Sequence, residues 1–260
     1  MGNDHSNAKT PLSKGLSALK GGPSNSRVQS HLENAKKSRI LQLKDCNIKN
    51  VPGAIDEVAS ILRNLDLANN RIAEISFDFQ KFAVLKHLNL HGNKIKEIPD
   101  TIGSLKALET LDLSANQLVE LPDSIGACIS LKTLNVSDNE ITIFPVGTCV
   151  LPNLEFLDLS GNLIERVPDN VADLKSSELN LSRNRLSSLN DNLAKCQRLK
   201  VLRVEENCLD KSAFTVAILK DSRISLIAYS GNLLNDTEFQ HLSGYEEYQG
   251  RFTATKRKGV

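Results

Sequence analysis

The sequence repeats with a period of about 23 residues, and this periodicity restricts the fold more than any other feature. The pattern L-x-x-L-x-L-x-x-N-x-L recurs along the chain, with other residues, mostly aliphatic, replacing leucine in some copies. Its Asn position holds Cys in the first copy and Asn in the others, at residues 46, 70, 93, 116, 139, 162, 184, 207 and 232. Nine copies in register predict a solenoid, because one repeat can bury its apolar face only by stacking on its neighbours.

Each repeat is predicted to combine a short strand with a convex segment. In L-x-L, the period of two places both apolar side chains on one face of a strand, and the Asn carboxamide can satisfy backbone groups of the following turn. Five convex segments begin with proline, at residues 52, 99, 122, 145 and 168. A repeat of this length leaves little room for a full helix, so we expect extended or 3₁₀ segments. Asn190 and Phe214 replace proline in repeats seven and eight, where we expect irregular backbone.

The repeats over residues 40–234 resemble the leucine-rich repeat family. This resemblance implies an α/β solenoid, a curved leucine-rich repeat arc of about nine 23-residue repeats with a parallel concave sheet and short helical caps. The chain contains no Trp and one Met, so leucine must supply most of the predicted core.

The repeat pattern divides the chain into five predicted parts. They are a flexible basic N-terminal segment with a lipidation signal (1–25), an N-terminal cap helix (26–39), the leucine-rich repeat domain (40–234), a C-terminal cap (235–249) and a basic tail (250–260). In the N-terminal cap, Val28, Leu32 and Ala35 have helical spacing. In the C-terminal cap, Asn235 or Asp236 is expected to begin a helix, because both side chains favour N-cap positions.

The distribution of charge indicates basic ends, and the lack of an export signal favours a cytoplasmic protein. The net charge of +1 divides into +5 for residues 1–39, −8 for residues 40–249 and +4 for residues 250–260. Such ends are typical of tails that contact an anionic surface and, equally, of solvated tails. No apolar run reaches about 18 residues, and the N-terminus lacks a signal peptide. The five Cys show no C-x-x-C spacing, so we interpret them as reduced thiols.

The first six residues match the pattern for N-myristoylation. Gly2 follows the initiator Met, and Ser6 lies four residues further on. We therefore expect a lipid anchor at Gly2 that attaches the protein to the cytoplasmic face of a membrane. One myristoyl chain binds a bilayer only marginally, so the basic ends would have to supply a second signal.

The polar strand positions and their neighbours are predicted to form a concave protein-binding face. The candidate residues are Arg63, Asp66, Lys86, His87, Asn89, Asp112, Lys132, Asn135, Phe156, Asp158, Arg183 and Arg203. The predicted outward positions as a whole include more acidic than basic side chains, which disfavours nucleic-acid binding. Mixed charge with an exposed Phe156 favours a protein partner, whose identity the sequence does not reveal.

No motif in the sequence is typical of an active site. His87 and His91 lie four residues apart on a predicted strand, a separation of about 13 Å, which is too long for one metal ion. Phosphate-binding Gly loops and nucleophile elbows are also missing. We therefore expect no catalytic residue, no metal and no cofactor.

Two hypotheses for function remain open. The first is a monomeric, non-enzymatic scaffold or adaptor in intracellular signalling, tethered to a membrane by the myristoyl group. The alternative is a soluble regulatory subunit of a signalling enzyme, because short intracellular repeats of this type resemble phosphatase regulators and the Ras-suppressor group of small GTPase pathways. In that alternative, Phe252 in the basic tail would belong to a docking peptide.

Overall fold

A computed structural model describes residues 25–257, so the predicted lipidation signal at Gly2 and the basic N-terminal segment lie outside the described residues. Within this range, nine parallel strands form one sheet whose order follows the chain. They are β1 (Ile40–Gln42), β2 (Asn64–Asp66), β3 (His87–Asn89), β4 (Thr110–Asp112), β5 (Thr133–Asn135), β6 (Phe156–Asp158), β7 (Glu178–Asn180), β8 (Val201–Arg203) and β9 (Leu226–Ala228). The predicted α/β solenoid of about nine repeats is confirmed.

Short 3₁₀ helices connect the strands on the convex side, as predicted. They are Gly53–Glu57, Ala59–Ile61, Phe79–Lys81, Asp100–Ser104, Asp123–Ala127, Val146–Val150, Asp169–Asp173, Asp191–Lys195 and Lys211–Ala213. Proline precedes five of these helices in the described chain, for example Pro99 with φ −63° and ψ 149°. Its extended conformation ends the preceding segment and positions the helix that follows.

Irregular backbone occurs in repeat eight, where a π-helix (Ala217–Asp221) follows the 3₁₀ helix. The expectation was wrong for repeat seven, which has an ordinary 3₁₀ helix. Asn190 replaces proline there, and its side chain accepts a hydrogen bond from the N–H of Asn192. This side-chain cap satisfies a backbone N–H of the first turn, so the helix forms without a preceding proline.

The apolar residues of the repeat pattern form one continuous core. In three successive strands, Leu65, Leu88 and Leu111 are almost completely buried. Four of the five Cys also contribute to the interior, whereas Cys208 is exposed. Burial raises the pKa of the Cys128 thiol to about 11, so this residue acts as apolar filling rather than as a nucleophile.

A ladder of buried Asn side chains connects the repeats. Asn116 accepts the N–H of Ile95 at 3.0 Å, and its Nδ2 donates to the carbonyls of Leu90 and Leu113 at 3.0 and 2.9 Å. Equivalent bonds recur at Asn93 and at the later Asn positions. Each carboxamide therefore satisfies the backbone of two adjacent repeats, which explains why the pattern requires Asn at this position.

Helices cover both ends of the described sheet. At the N-terminal end, α1 (Asn25–Ser38) buries Val28, Leu32 and Ala35, the three residues with helical spacing. At the other end, α2 (Asp236–Gln240) begins with a capping box between Asn235 and Glu238. No helix between residues 25 and 257 is long and apolar enough to cross a membrane.

The predicted boundary between a C-terminal cap and a basic tail at residue 250 falls inside a helix. A single helix, α3 (Tyr245–Arg257), continues through it. The guanidinium of Arg251 donates to the carbonyls of Leu219 and Ile224, at 2.5 and 2.9 Å, which fixes the helix to repeat eight. Arg251 is therefore engaged within the protein.

Phe252 also belongs to this cap. Its ring is partly buried and stacks on the ring of Tyr248, with 6.1 Å between the ring centroids. Lys256 places its ammonium group 4.7 Å from the Phe252 ring centroid. The Phe252 ring of the predicted docking peptide therefore packs within the C-terminal cap, against its own helix and the core.

Candidate protein-binding face

Two rows of side chains project from the concave surface of the sheet. Because the strands are parallel and in register, the first residue of each strand aligns with the first residue of the next, and the third with the third. Row one is Ile40, Asn64, His87, Thr110, Thr133, Phe156, Glu178, Val201 and Leu226. Row two is Gln42, Asp66, Asn89, Asp112, Asn135, Asp158, Asn180, Arg203 and Ala228.

Eight of the twelve predicted binding residues lie in these rows. His87 and Phe156 belong to row one, and row two contains Asp66, Asn89, Asp112, Asn135, Asp158 and Arg203. The two rows contain four carboxylates and one guanidinium, so the face is acidic overall. This polarity agrees with the sequence-based expectation for the face.

Row two has a structural role that sequence reasoning missed. One Oδ1 atom of each Asp or Asn between β2 and β7 accepts the backbone N–H two residues further on, for example Asp112 from Ser114 at 2.9 Å. Ser114 and Ser160 add a hydroxyl bond to the same carboxylates. The recurrence of Asp or Asn two residues before Ser was the available signal, because this spacing is typical of an Asx turn. The turn therefore fixes the orientation of each row-two side chain.

The N-terminal half of the face contains a shallow cavity of about 260 Å³. Ile40 and His87 contribute to its lining from row one, and Asp66 and Asp112 from row two. The His87 side chain is exposed, whereas His91 contacts the hydroxyl of Ser114 through Nδ1 at 2.8 Å. The two histidines therefore have different surroundings.

The C-terminal half of the face is more apolar. Phe156, Val201 and Leu226 are all partly exposed in row one. Sequence reasoning missed Val201 and Leu226, although their position immediately before a buried strand residue was the available signal. Between them and Phe156, Glu178 accepts a hydrogen bond from Arg203 Nε at 2.8 Å. This bond raises the pKa of the Arg203 guanidinium, so the pair presents little net charge to a partner.

The other four predicted residues lie outside the two rows. Arg63, Lys86 and Lys132 each come directly before a strand, and the strands are only three residues long, so these side chains lie at the edge of the sheet. The structure thus places these three predicted residues beside the two rows rather than within them. Lys86 and Lys132 both contact Glu109, at 2.5 and 3.1 Å, and together they lower the pKa of its carboxyl group to about 2.

Arg183 lies in the turn after β7, on the opposite edge from Arg63. Its Nη2 contacts Oδ1 of Asp138 at 2.9 Å. The twelve predicted residues therefore belong to three surfaces: the concave rows, the edge where strands begin and the turns where strands end.

The described residues do not assemble a metal centre. No group of three or more His, Cys, Asp and Glu side chains between residues 25 and 257 could hold a metal ion. The acidic residues of row two are separated by Asn, and Asn180 Nδ2 donates to Asp158 Oδ2 at 3.2 Å. The face is therefore organised as alternating acids and amides rather than as paired carboxylates.

Sequence models of known families match the centre of the chain. A model described as leucine-rich repeat region matches residues 60–148, and one described as leucine-rich repeats in two copies matches residues 129–175. Both matches fall within the region where the repeat pattern is most regular.

Solved structures of other repeat proteins have the same fold. A leucine-rich repeat protein of Leptospira interrogans is 27% identical with a TM-score of 0.64, over 81% of this chain and 58% of its own. Internalin C2 from Listeria monocytogenes is 20% identical with a TM-score of 0.63, over 74% and 80% of the two chains. A chain from the LRIM1/APL1C complex is 22% identical with a TM-score of 0.64, and the match covers 80% of this chain and 39% of that one.

The chain thus spans a little over half the length of the Leptospira protein. The two structures that are less than 25% identical to this chain show only that the fold is shared. The family models support the same fold from sequence. The nine-stranded sheet of the described residues, its Asn ladder and these matches support the same assignment. The chain has the leucine-rich repeat fold, and residues 60–175 match sequence models of leucine-rich repeats.

Proposed function

We propose that this protein is a non-enzymatic scaffold or adaptor in intracellular signalling, tethered to a membrane through myristoylated Gly2. In this proposal the concave rows bind a protein partner. The observation that carries it is the pair of aligned side-chain rows, which combine acidic groups with the partly exposed Phe156, Val201 and Leu226. Exposed aromatic and aliphatic side chains beside polar groups are typical of protein interfaces.

The comparison with solved structures supports a protein partner. One similar chain comes from a complex between LRIM1 and APL1C. The rows also offer a surface that is long enough for a peptide or a folded domain, since nine strands spaced at about 4.8 Å extend over about 40 Å. The acidic rows favour a partner with basic and apolar side chains.

The membrane tether rests on the sequence. Gly2 and Ser6 fit the acylation pattern, and the first 39 residues carry a net charge of +5 that would favour an anionic leaflet. Arg251 of the C-terminal basic group is engaged with backbone carbonyls, so the N-terminal group would make the larger contribution. The proposed location is the cytoplasmic face of a membrane.

We further propose a relationship to leucine-rich repeat-containing protein 57. The resemblance rests on Gly2, the segment 31–45 (HLENAKKSRILQLKD), the order of the repeats and the C-terminal string that begins at Gly244. Residues from about 7 to 25 have no counterpart in that resemblance, so it implies nothing for them.

Fractionation of cells that express the wild type or Gly2→Ala tests the tether. The wild type should sediment with membranes, and the variant should become soluble. A wild type found only in the soluble fraction would favour the regulatory-subunit alternative.

A second pair of variants tests the binding face. His87→Ala with Phe156→Ala removes exposed groups from row one, whereas Ile143→Ala with Val150→Ala removes exposed apolar groups that lie elsewhere. Quantitative mass spectrometry of affinity-captured complexes should show a partner that is lost only from the concave variant. A partner lost equally from both variants, or from neither, would contradict the proposed face.

A further inference from the structure

The segments that lead into the strands form one edge of the solenoid, which we call the strand-start edge. Each runs from the end of a helical segment to the beginning of a strand. Within the described chain they are residues 39, 62–63, 82–86, 105–109, 128–132, 151–155, 174–177, 196–200 and 222–225. Backbone hydrogen bonds connect neighbouring segments, for example from Lys86 N to Arg63 O and from Arg63 N to Arg39 O.

This edge is strongly basic on an otherwise acidic body. Its segments contain nine Lys or Arg side chains, against Glu109 and Glu155, which gives a net charge of +7 for this part of the described chain. The net charge of residues 40–249 is −8, and the edge segments within that range contribute +6. The rest of the range therefore has a net charge of −14. The charge is therefore separated between the edge and the remaining surfaces.

Most of this positive charge is accessible and unneutralised. Arg63, Lys200 and Arg223 are exposed, and within residues 25–257 none of them has a carboxylate oxygen within 4.0 Å. Lys86 and Lys132 share the single carboxylate of Glu109, which leaves one positive charge in that group.

The same edge also exposes aliphatic side chains. Val84 is 41% exposed and Ile129 is 52% exposed, and both lie within its segments. Because the strands are parallel and in register, their first residues align along one edge, so these basic and aliphatic groups share one surface. Basic surfaces with interspersed aliphatic groups suit the headgroup region of an anionic bilayer.

We propose that the strand-start edge docks on an anionic phospholipid bilayer. This inference rests on the proposed membrane tether and names the surface that supplies the second binding signal. Docking by the edge points the strands along the membrane normal, so the acidic concave rows stay accessible to a partner. A duplex nucleic acid is the less favoured ligand, because the aliphatic side chains of Val84 and Ile129 would contribute little to its binding.

Vesicle sedimentation of the unacylated full-length chain tests the edge separately from the lipid. The edge variant is Arg63→Gln, Lys200→Gln and Arg223→Gln. The matched control is Arg71→Gln, Lys94→Gln and Arg185→Gln, which removes three basic groups that are also exposed from the opposite edge. Both variants keep the same N-terminal segment and the same net charge. The vesicles are phosphatidylcholine with about 30% phosphatidylserine, an anionic content that attracts basic residues.

The wild type and the control variant should bind these vesicles alike, and the edge variant should lose about tenfold or more of its partitioning. Equal partitioning of the edge variant and the wild type would overturn the proposal, as would an equal loss in both variants. Binding of the wild type to a DNA duplex but not to vesicles would overturn it in favour of nucleic acid. Because no acylation is involved, a negative result here leaves the Gly2→Ala fractionation test unaffected.

Discussion

Asp138 and Arg183 form an ion pair two repeats apart, with 2.9 Å between Oδ1 and Nη2. Both residues occupy the turn position before the repeat Asn, and Gly161 occupies that position in the repeat between them. All three have positive φ, which is +64° at Gly161. The absence of a side chain at residue 161 lets Arg183 pass across one repeat, and a Cβ there would overlap the Asp138 carboxylate.

Gly161→Ala should therefore lower the free energy of unfolding by about 1–2 kcal/mol, since a left-handed conformation is strained for an L side chain. Urea denaturation measures this change. Arg183→Gln should cost much less, under about 1 kcal/mol, because the ion pair is exposed. Ala115 already adopts φ 54° at the equivalent position, so Ala115→Gly should cause no loss. Unchanged stability of Gly161→Ala would show that neither strain nor overlap matters there.

Asn116→Ala should be far more damaging than its size suggests. It would leave the N–H of Ile95 without its buried acceptor, and it would remove one of the two Asn donors to each of the carbonyls of Leu90 and Leu113. We expect a loss of about 2–4 kcal/mol, measured by urea denaturation. Cys46→Ala is the matched control at the same repeat position, and it should cost less because Cys46 Sγ donates only to the carbonyl of Lys44. Similar losses in the two variants would argue against the ladder as the source of stability.

Glu109 should remain ionised in strongly acidic solution. Hydrogen bonds and charges from Lys86 and Lys132 lower its pKa from 4.5 to about 2. A lowered pKa means that the pairing stabilises the fold above pH 4.5 and that this contribution is lost as the pH falls towards 2. Carboxylate NMR titration should show this value. In Lys86→Gln with Lys132→Gln, the pKa should return towards 4.5, whereas Lys200→Gln should leave it unchanged.

Tyr248→Phe should weaken the C-terminal end of the sheet. The Tyr248 hydroxyl accepts the N–H of Ile227 in β9 at 3.0 Å, in a buried position. Its removal should cost about 1–2 kcal/mol and accelerate hydrogen exchange of the Ile227 amide. Tyr245→Phe is the control, because that hydroxyl bonds to Gln249 within α3. Unaltered exchange at Ile227 would show that the tyrosine does not protect the sheet edge.

The fold could be predicted from sequence because the same local pattern recurs in nine repeats. The Asn positions, the proline breaks and the Asn235 cap all act within one repeat or between neighbours, so a short pattern contains them. Contacts between a helix and distant carbonyls have no such pattern. Arg251 was therefore interpreted as part of a tail, although it binds Leu219 and Ile224.

The candidate site was predictable only in part for a similar reason. The alternation of buried and exposed strand residues placed His87 and Phe156 on the concave face. The length of the strands was not encoded in the pattern, so Arg63 and Lys86 were assigned to the face although three-residue strands leave them at the edge. The charge of that edge emerges only when nine separate segments are brought together.

The intact mass of the protein from eukaryotic cells tests the tethered scaffold most directly. The account predicts loss of Met1 and gain of one myristoyl group, roughly 210 Da, in the wild type. Gly2→Ala should lack this gain. A wild type whose Gly2 amine is unmodified would contradict the account and leave a repeat protein whose binding face acts without a lipid anchor.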